Sequence, residues 1–258
     1  MNNLQSFIGK RVKQYREASK MSQLDLEIAI NASSGMISRI ENGKTNPTKE
    51  TLIEIATALE LKPIEVGYLL GVTKPDPNQS DIQSAINYVH QTLESRVTFA
   101  YLLDNKQRFQ AISKGFSSIL KSSGINSDDL IGECIVEALF DPKLKLRELI
   151  PKDDFEKAGI AAVSILFQEG NHMYKEKWWT DLFGRLHNLP NFTEIWNYVE
   201  NNEVDVITEE GRTLLLSFSG LNVAMLYTCI YLYPDPRFYL VEYTPENKKL
   251  HLLLNLLG

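Results

Sequence analysis

Over the first seventy or so positions, apolar residues recur with the period of a helix. Leu4, Ile8, Val12 and Tyr15 share one face of a segment running to Lys20, and its opposite face is basic. Ser22 can accept from the free N–H groups of the turn after it and so starts a second helix, about Gln23 to Ile30, with Leu26, Ala29 and Ile30 inward. Asn31-Ala32-Ser33 reads as a turn with Ser33 as the next N-cap. A third helix then spans Ser34 to about Asn42, with Ile37 and Ile40 inward, and Gly43 supplies its left-handed stop. Pro47-Thr48 opens a fourth helix with Leu52, Ile55, Ala56 and Leu59 inward, and Pro63 opens a fifth that ends at Gly71.

The pattern changes after "TKPDPNQS", Thr73 to Ser80, which has two prolines and no apolar residue and reads as a linker. Helical spacing returns at Ile82, Ala85, Ile86, Val89 and Leu93. Two readings of this helix stay open: a dimer or relay element, or a helix packed on the body. From Arg96, "RVTFAYLLDN" and "QRFQAIS" alternate as two strands around a turn at Asp104-Asn105. Helical stretches follow at Lys114–Lys121, Ser127–Phe140, Lys152–Gln168, Tyr174–His187 and from Asn191 through "NFTEIWNYVEN". The last third reads as strands at Val204–Thr208, Arg212–Ser219, Val223–Tyr233 and Phe238–Thr244, closed by Glu246–Leu257. Strands, then helices, then strands predict an α+β domain with an antiparallel sheet. The expected division is 1–72, a linker and connecting helix over 73–95, and 96–258.

Composition adds limits. The longest apolar run, Gly220 to Tyr233, is broken by Asn222 and Thr228 and falls short of the ~20 residues of a membrane span. The charged N-terminus has no signal-peptide core, and Cys134 and Cys229 make neither a disulfide framework nor a metal cluster. The expectation is a cytoplasmic protein without membrane contact. The net charge of −6 hides an asymmetry. Residues 10–49 carry eight Lys/Arg against four Asp/Glu, whereas residues 72–258 carry eighteen against twenty-five. A basic segment on an acidic body suits local contact with DNA.

Two short helices across a tight turn form a DNA-reading arrangement. The stretch closely resembles the Cro/repressor-type (XRE family) helix-turn-helix, on Ser22-Gln23, Leu26, Ala29, Ile37-Ser38-Arg39-Ile40-Glu41, Gly43-Lys44 and Pro47. It departs at Glu27 and Asn31, where the family often has Ala and Gly. The resemblance implies an all-α five-helix domain and a double-stranded DNA operator read by a homodimer. By position on the third helix, Ser34, Gly35, Ser38 and Arg39 face base edges. Arg39 alone among them has the bidentate donors that read guanine. The resemblance places Gln23, Asn42 and Lys44 on phosphates, with Arg16 a further phosphate candidate, while Glu41 orients Arg39 or Arg16. Met36 reads as a neighbour of the core. A helical protein-interaction module is the alternative.

The remainder resembles a PAS-type domain and, toward its end, the MmyB-like ligand-binding domain. "FTEIWNYVENNEVDVITEEGRTLLLSF", "RFYLVEYTPEN" and "LFDPKLKLREL" carry that likeness. Departures fall at Asp205–Thr208, Glu210-Gly211 and around Asp153-Asp154-Phe155. The resemblance implies a sensor with a pocket between a sheet and its covering helices. Phe99, Tyr101, Phe109, Phe116, Phe140, Phe167, Trp196, Phe218, Tyr227, Tyr231 and Tyr239, with Trp178 and Trp179, make the interior aromatic. That composition suits a small apolar ligand, an acyl chain such as a fatty acid, set against the plainer reading that these rings fill a core. Arg212 and Arg237 read as strand-end charges that can also meet a ligand carboxylate.

Catalytic patterns are not evident. Ala158-Gly159 offers an Ala-Gly bond for a self-cleaving repressor, but it lies inside a helical pattern, and no Gly-Asp-Ser context follows. His90, His172, His187 and His251 lack zinc-protease spacing. Both thiols read as buried and inert. Leu250, Leu253, Leu254 and Leu257 share a helical face that suits core packing or a dimer seam. The reading is a DNA-binding, non-enzymatic regulator controlled by a small ligand. The alternatives are a second domain that only oligomerises or binds a protein or peptide, or an autoproteolytic repressor.

Overall fold

The computed structural model describes the backbone of residues 3–70, 76–170, 173, 176–202, 213–218 and 221–246. Two compact units divide the chain, Met1–Pro75 and Asp76–Gly258. The predicted strand at Val204–Thr208 and the C-terminal segment beyond Glu246 lie outside the described residues.

Unit one is built of α1 (Asn3–Ala18), α2 (Gln23–Ala29), α3 (Met36–Glu41), α4 (Lys49–Ala58) and α5 (Pro63–Leu69). Val12, Leu26, Ile37, Ile40, Ile55 and Leu69 are its innermost apolar side chains. Gly9 makes the α1–α3 contact close: a Cβ there would lie 2.2 Å from the Ile40 carbonyl oxygen. Ser22 caps α2, its hydroxyl accepting from the Asp25 N–H at 3.0 Å while the Asp25 carboxylate accepts from the Ser22 N–H at 2.9 Å. Asn31 and Gly43 take positive φ of 51° and 66°, which turns the chain after α2 and after α3. One residue expected inward from α2 is not: Ala29 is exposed.

Unit two centres on a five-stranded antiparallel sheet in the order β2-β1-β5-β4-β3. Its strands are β1 (Phe99–Asp104), β2 (Phe109–Ile112), β3 (Thr213–Phe218), β4 (Leu221–Tyr231) and β5 (Phe238–Pro245). Because side chains alternate across a strand, the sheet has two apolar faces. Ala100, Leu102, Phe238 and Leu240 form one, covered by Ala85, Val89 and Leu93 of α6 (Gln79–Tyr88) and α7 (His90–Glu94). The connecting helix therefore packs on the body, and it breaks at Val89. Phe99, Tyr101, Leu103, Val223, Met225, Tyr227, Tyr239 and Val241 form the other face, joined by α8 (Lys114–Ser122) through Phe116 and Leu120.

A helical layer stands beside that second face. It comprises α9 (Ile135–Phe140), α10 (Phe155–Gly170), α11 (Lys177–Leu186) and α12 (Phe192–Asn201), packed through Phe140, Trp179, Phe192 and Trp196. The expected helix over Ser127–Phe140 is divided. A 3-10 turn at Ser127–Leu130 ends before Gly132, at φ 88°, and Ile131 and Cys134 then bridge to Phe109 and Arg108. Those bridges use backbone groups that a continuous helix would need. The β1–β2 turn is held by Asp104, whose fully buried carboxylate accepts from the Arg108 and Gln110 side chains and from the Lys106 and Arg108 N–H groups.

Candidate DNA interface and apolar cavity

In unit one, the third helix begins two residues later than the hydrophobic pattern predicts. Gly35, at φ 77° and ψ 4°, is its N-cap, and it offers no side chain to the first N–H groups. Ser33 is therefore not the cap. Glu27, from the buried side of α2, takes that role: its two carboxylate oxygens accept from the N–H groups of Gly35 at 3.1 Å and Ile37 at 2.9 Å. A carboxylate at a helix start also meets the positive end of the peptide dipoles. One of the two residues that depart from the resembled pattern is thus the one that seats the third helix on the second. Replacing it, Glu27→Ala, is expected to cost about 1–2 kcal/mol of stability. Glu27→Gln, which keeps one acceptor, is expected to cost less. Urea unfolding of both variants checks this, and equal stability of parent and alanine variant would remove the cap assignment.

A buried cluster fixes the other end of the pair. Arg16, 8% exposed, donates through Nε to Glu41 Oε1 at 2.6 Å, through Nη2 to Glu41 Oε2 at 3.0 Å and through Nη1 to the Met21 carbonyl at 2.8 Å. Hydrogen bonding to Glu41 raises the guanidinium's pKa above its ordinary value against the opposing effect of burial. Arg16 is accordingly held inside the unit and does not stand out as a phosphate contact; Glu41 orients it, as one of the two sequence readings had it. Gln23 Nε2 donates to Glu41 Oε2 at 2.7 Å, so one carboxylate ties α1, α2 and α3 together.

Around this cluster the remaining candidates face outward or partly so. Ser34 and Gly35 stand just before α3, and Ser38 and Arg39 stand on it. Arg39 is exposed, and among the described residues its side chain makes only a long 3.4 Å hydrogen bond from Nη2 to the Ser33 hydroxyl, so its guanidinium edge is open to a base. Gly35 also leaves it space, since a Cβ there would sit 3.3 Å from Arg39 Nη1. Asn42 donates through Nδ2 to the Ser38 carbonyl at 2.7 Å and closes the helix. Lys44 is exposed beside it with no ion-pair partner among the described residues.

Unit two contains a cavity of about 110 Å³ between the sheet and α9–α10. Tyr101, Phe109, Phe116, Tyr227 and Tyr239, all expected from the sequence, line it. They are joined by Tyr243, Gln107, Cys229, leucines including Leu103 and Leu216, and the small side chains of Ala158, Ala161 and Ala162. The other expected rings are elsewhere. Phe99 packs in the sheet's own core, whereas Phe140, Phe167 and Trp196 pack between helices α9 to α12. Tyr231 is 57% exposed, and the Phe218 side chain lies outside the described residues. Period-2 alternation places Tyr243 on the same face as Tyr239, so that residue was available to sequence reasoning. The alanines were not, because they matter only as the floor of a space that others leave.

Several further expectations find their answers here. Cys134 is buried, and burial pushes its thiol up to about 11, whereas Cys229 is exposed and so not the buried thiol expected. Arg237 is ion-paired with Asp81 and Asp235, at 2.8 and 2.7 Å, while Arg212 lies outside the described residues. Ala158 is buried within α10, and a Cβ on Gly159 would lie 2.8 Å from the Ile195 side chain, so that bond is no exposed hinge. Among the described residues there is no metal-binding cluster, and no helix is long and apolar enough to cross a membrane.

Residues 12–66 match the family model for the helix-turn-helix. No curated protein was found to match the chain. The family match supports a DNA-binding transcriptional regulator of the Cro/XRE type.

Proposed function

We propose that the protein reads a DNA operator as a homodimer and that a small apolar molecule in the second unit, a PAS-like and MmyB-like sensor, controls that binding. The observation that carries ligand control is the cavity: an apolar space between the sheet and α9–α10, walled by aromatic rings and closed by alanines. Aromatic and aliphatic walls with few polar groups favour a largely hydrophobic guest. In the DNA-binding unit, α3 presents Ser38 and Arg39 to base edges, with Ser34 and Gly35 at its entrance. Gln23, Asn42 and Lys44 surround it as phosphate contacts. Two such heads would read half-sites about one helical turn, ~34–36 Å, apart.

Control of this kind requires unequal affinity of the ligand for the DNA-competent and incompetent arrangements, since equal affinity shifts neither. A coupling of ordinary size, about 1–3 kcal/mol, would change operator affinity roughly 5–150-fold. Two experiments test the reading. Native mass spectrometry of freshly purified protein, followed by denaturation, is expected to show a dimer that releases an apolar molecule. The second fills the cavity: Ala162→Phe is expected to abolish that release and to hold operator affinity at one value whether or not the extracted molecule is added back. A ligand-free parent whose operator affinity matches that of Ala162→Phe would instead favour a second unit that serves oligomerisation or a protein partner.

A further inference from the structure

The cavity wall holds a hydrogen-bond donor to which no described residue offers a further acceptor. Tyr101 on β1 and Tyr243 on β5 place their hydroxyl oxygens 3.0 Å apart in the cavity wall. Two hydroxyls carry two protons, and the bond between them uses one. Among the described residues neither hydroxyl has another hydrogen-bond partner. Their rings are fixed in place: Tyr101 packs against Phe109 and Phe116 at centroid distances of 5.0 and 5.9 Å, and Tyr243 lies 6.1 Å from Phe116. Burial keeps both phenols in the protonated, donating form, pushing Tyr243 up to about 12 and Tyr101 well above its ordinary value.

A donor left unmade in an apolar wall is unfavourable, so this half-buried pair calls for an acceptor. Water is a poor one here. A bound water needs two to four polar partners, and this wall, open to solvent on one side, is nearly all carbon. A charged acceptor is disfavoured as well: no lysine, arginine or histidine is among the described residues lining the cavity. A carboxylate inside would therefore be desolvated without a counter-charge from the described lining. Size sets a further limit. A cavity of about 110 Å³ is of the order of the 150 Å³ engineered cavity that takes benzene, which favours a compact guest over a long chain.

Resting on the reading that this cavity takes an apolar molecule, we infer that its ligand is a compact hydrocarbon body bearing one uncharged oxygen acceptor, a ketone, ester, lactone or alcohol, seated against the Tyr101–Tyr243 hydroxyl pair. The apolar walls supply most of the affinity. The hydroxyl pair orients the guest and rejects shapes of the same size that lack the oxygen, because those leave the donor unpaired. This narrows the expected acyl chain to an uncharged head, since a free fatty acid would bring its carboxylate to a wall whose described residues include no cation.

Cyclohexanone and methylenecyclohexane test it, being near-isosteric and differing in C=O against C=CH₂. Their dissociation constants are to be measured by ligand-observed NMR titration on the full chain, stripped of any carried-over molecule. The proteins are the parent, Tyr101→Phe/Tyr243→Phe and, as a control for site, Ala162→Phe. The double substitution is required because either tyrosine alone still has a proton to donate. The preference for the ketone over the hydrocarbon is expected to fall about 3–10-fold in the double variant, with hydrocarbon binding retained. Retained binding also shows that the variant is folded. Hydrocarbon binding together with an unchanged preference would overturn the acceptor inference and leave the apolar site standing. Failure of both probes to bind the parent, or binding that survives Ala162→Phe, would overturn the site reading and this inference with it.

Discussion

Glu41→Ala is expected to destabilise the DNA-binding unit by about 3–5 kcal/mol, the largest loss from a single substitution in this region. The carboxylate accepts from Arg16 at 2.6 and 3.0 Å and from Gln23 at 2.7 Å, and the paired side chains are only 10% and 2% exposed. Truncation leaves a guanidinium inside the unit with no counter-charge, and it frees the amide that links α2 to α3. Removing both charges at once, Arg16→Met/Glu41→Leu, is expected to recover most of the loss, because the cost lies in the unpaired charge more than in the lost attraction. The chain separates the two units conveniently. Its three tryptophans, Trp178, Trp179 and Trp196, all lie in unit two. In a urea titration the helical circular-dichroism signal of unit one should therefore melt early in Glu41→Ala, while the tryptophan transition stays in place. Coincident, unshifted transitions would mean that the pair contributes no net stability.

Arg39→Ala is the second large effect, and it falls on function with little change in stability. The side chain is exposed, and its one hydrogen bond to a described residue is the 3.4 Å approach to Ser33, so its loss leaves no buried group unpaired. In the DNA complex a bidentate arginine discriminates its base by about 1–3 kcal/mol. Operators selected from a random pool by the parent are expected to show one guanine position per half-site at which Arg39→Ala loses preference roughly 5–150-fold. Lys44→Ala serves as the contrast. A lost phosphate contact should weaken all sequences alike and reduce the salt slope by about 0.9. If Arg39→Ala behaves like Lys44→Ala, Arg39 is a backbone contact and the base-reading assignment is wrong.

Both effects bear on how the unit is read from its sequence. The exposure of Arg39 was legible because it follows from position on a helix face. The burial of Arg16 was not: on α1 it sits among outward lysines, and only the approach of α3, whose Glu41 the sequence offered to Arg39 or Arg16, encloses it. Glu27 is a similar case. It breaks a local expectation of a small residue, and the reason lies eight and ten positions ahead, in the N–H groups of Gly35 and Ile37.

The second unit repeats the lesson on a larger scale. Alternation along β1, β4 and β5 marks which residues share a face, and it identified Tyr101, Tyr227 and Tyr239 as inward. Which inward aromatics fill a core and which wall a cavity depends on what packs against them. Phe140 and Trp196 meet other rings across the helical layer, whereas Tyr101 and Tyr239 face the alanines of α10 and a space remains.

The sequence by itself determined the periodic elements and the split of charge, because these depend on spacing and on the chemistry of single side chains. Only the tertiary structure decided the late start of α3 under Glu27, the burial of Arg16, the break of Ser127–Phe140 at Gly132 and the cavity with its unpaired hydroxyl proton. Each of those is a pairing, or the lack of one, between residues distant along the chain, and hydrophobic periodicity carries no record of which distant groups meet.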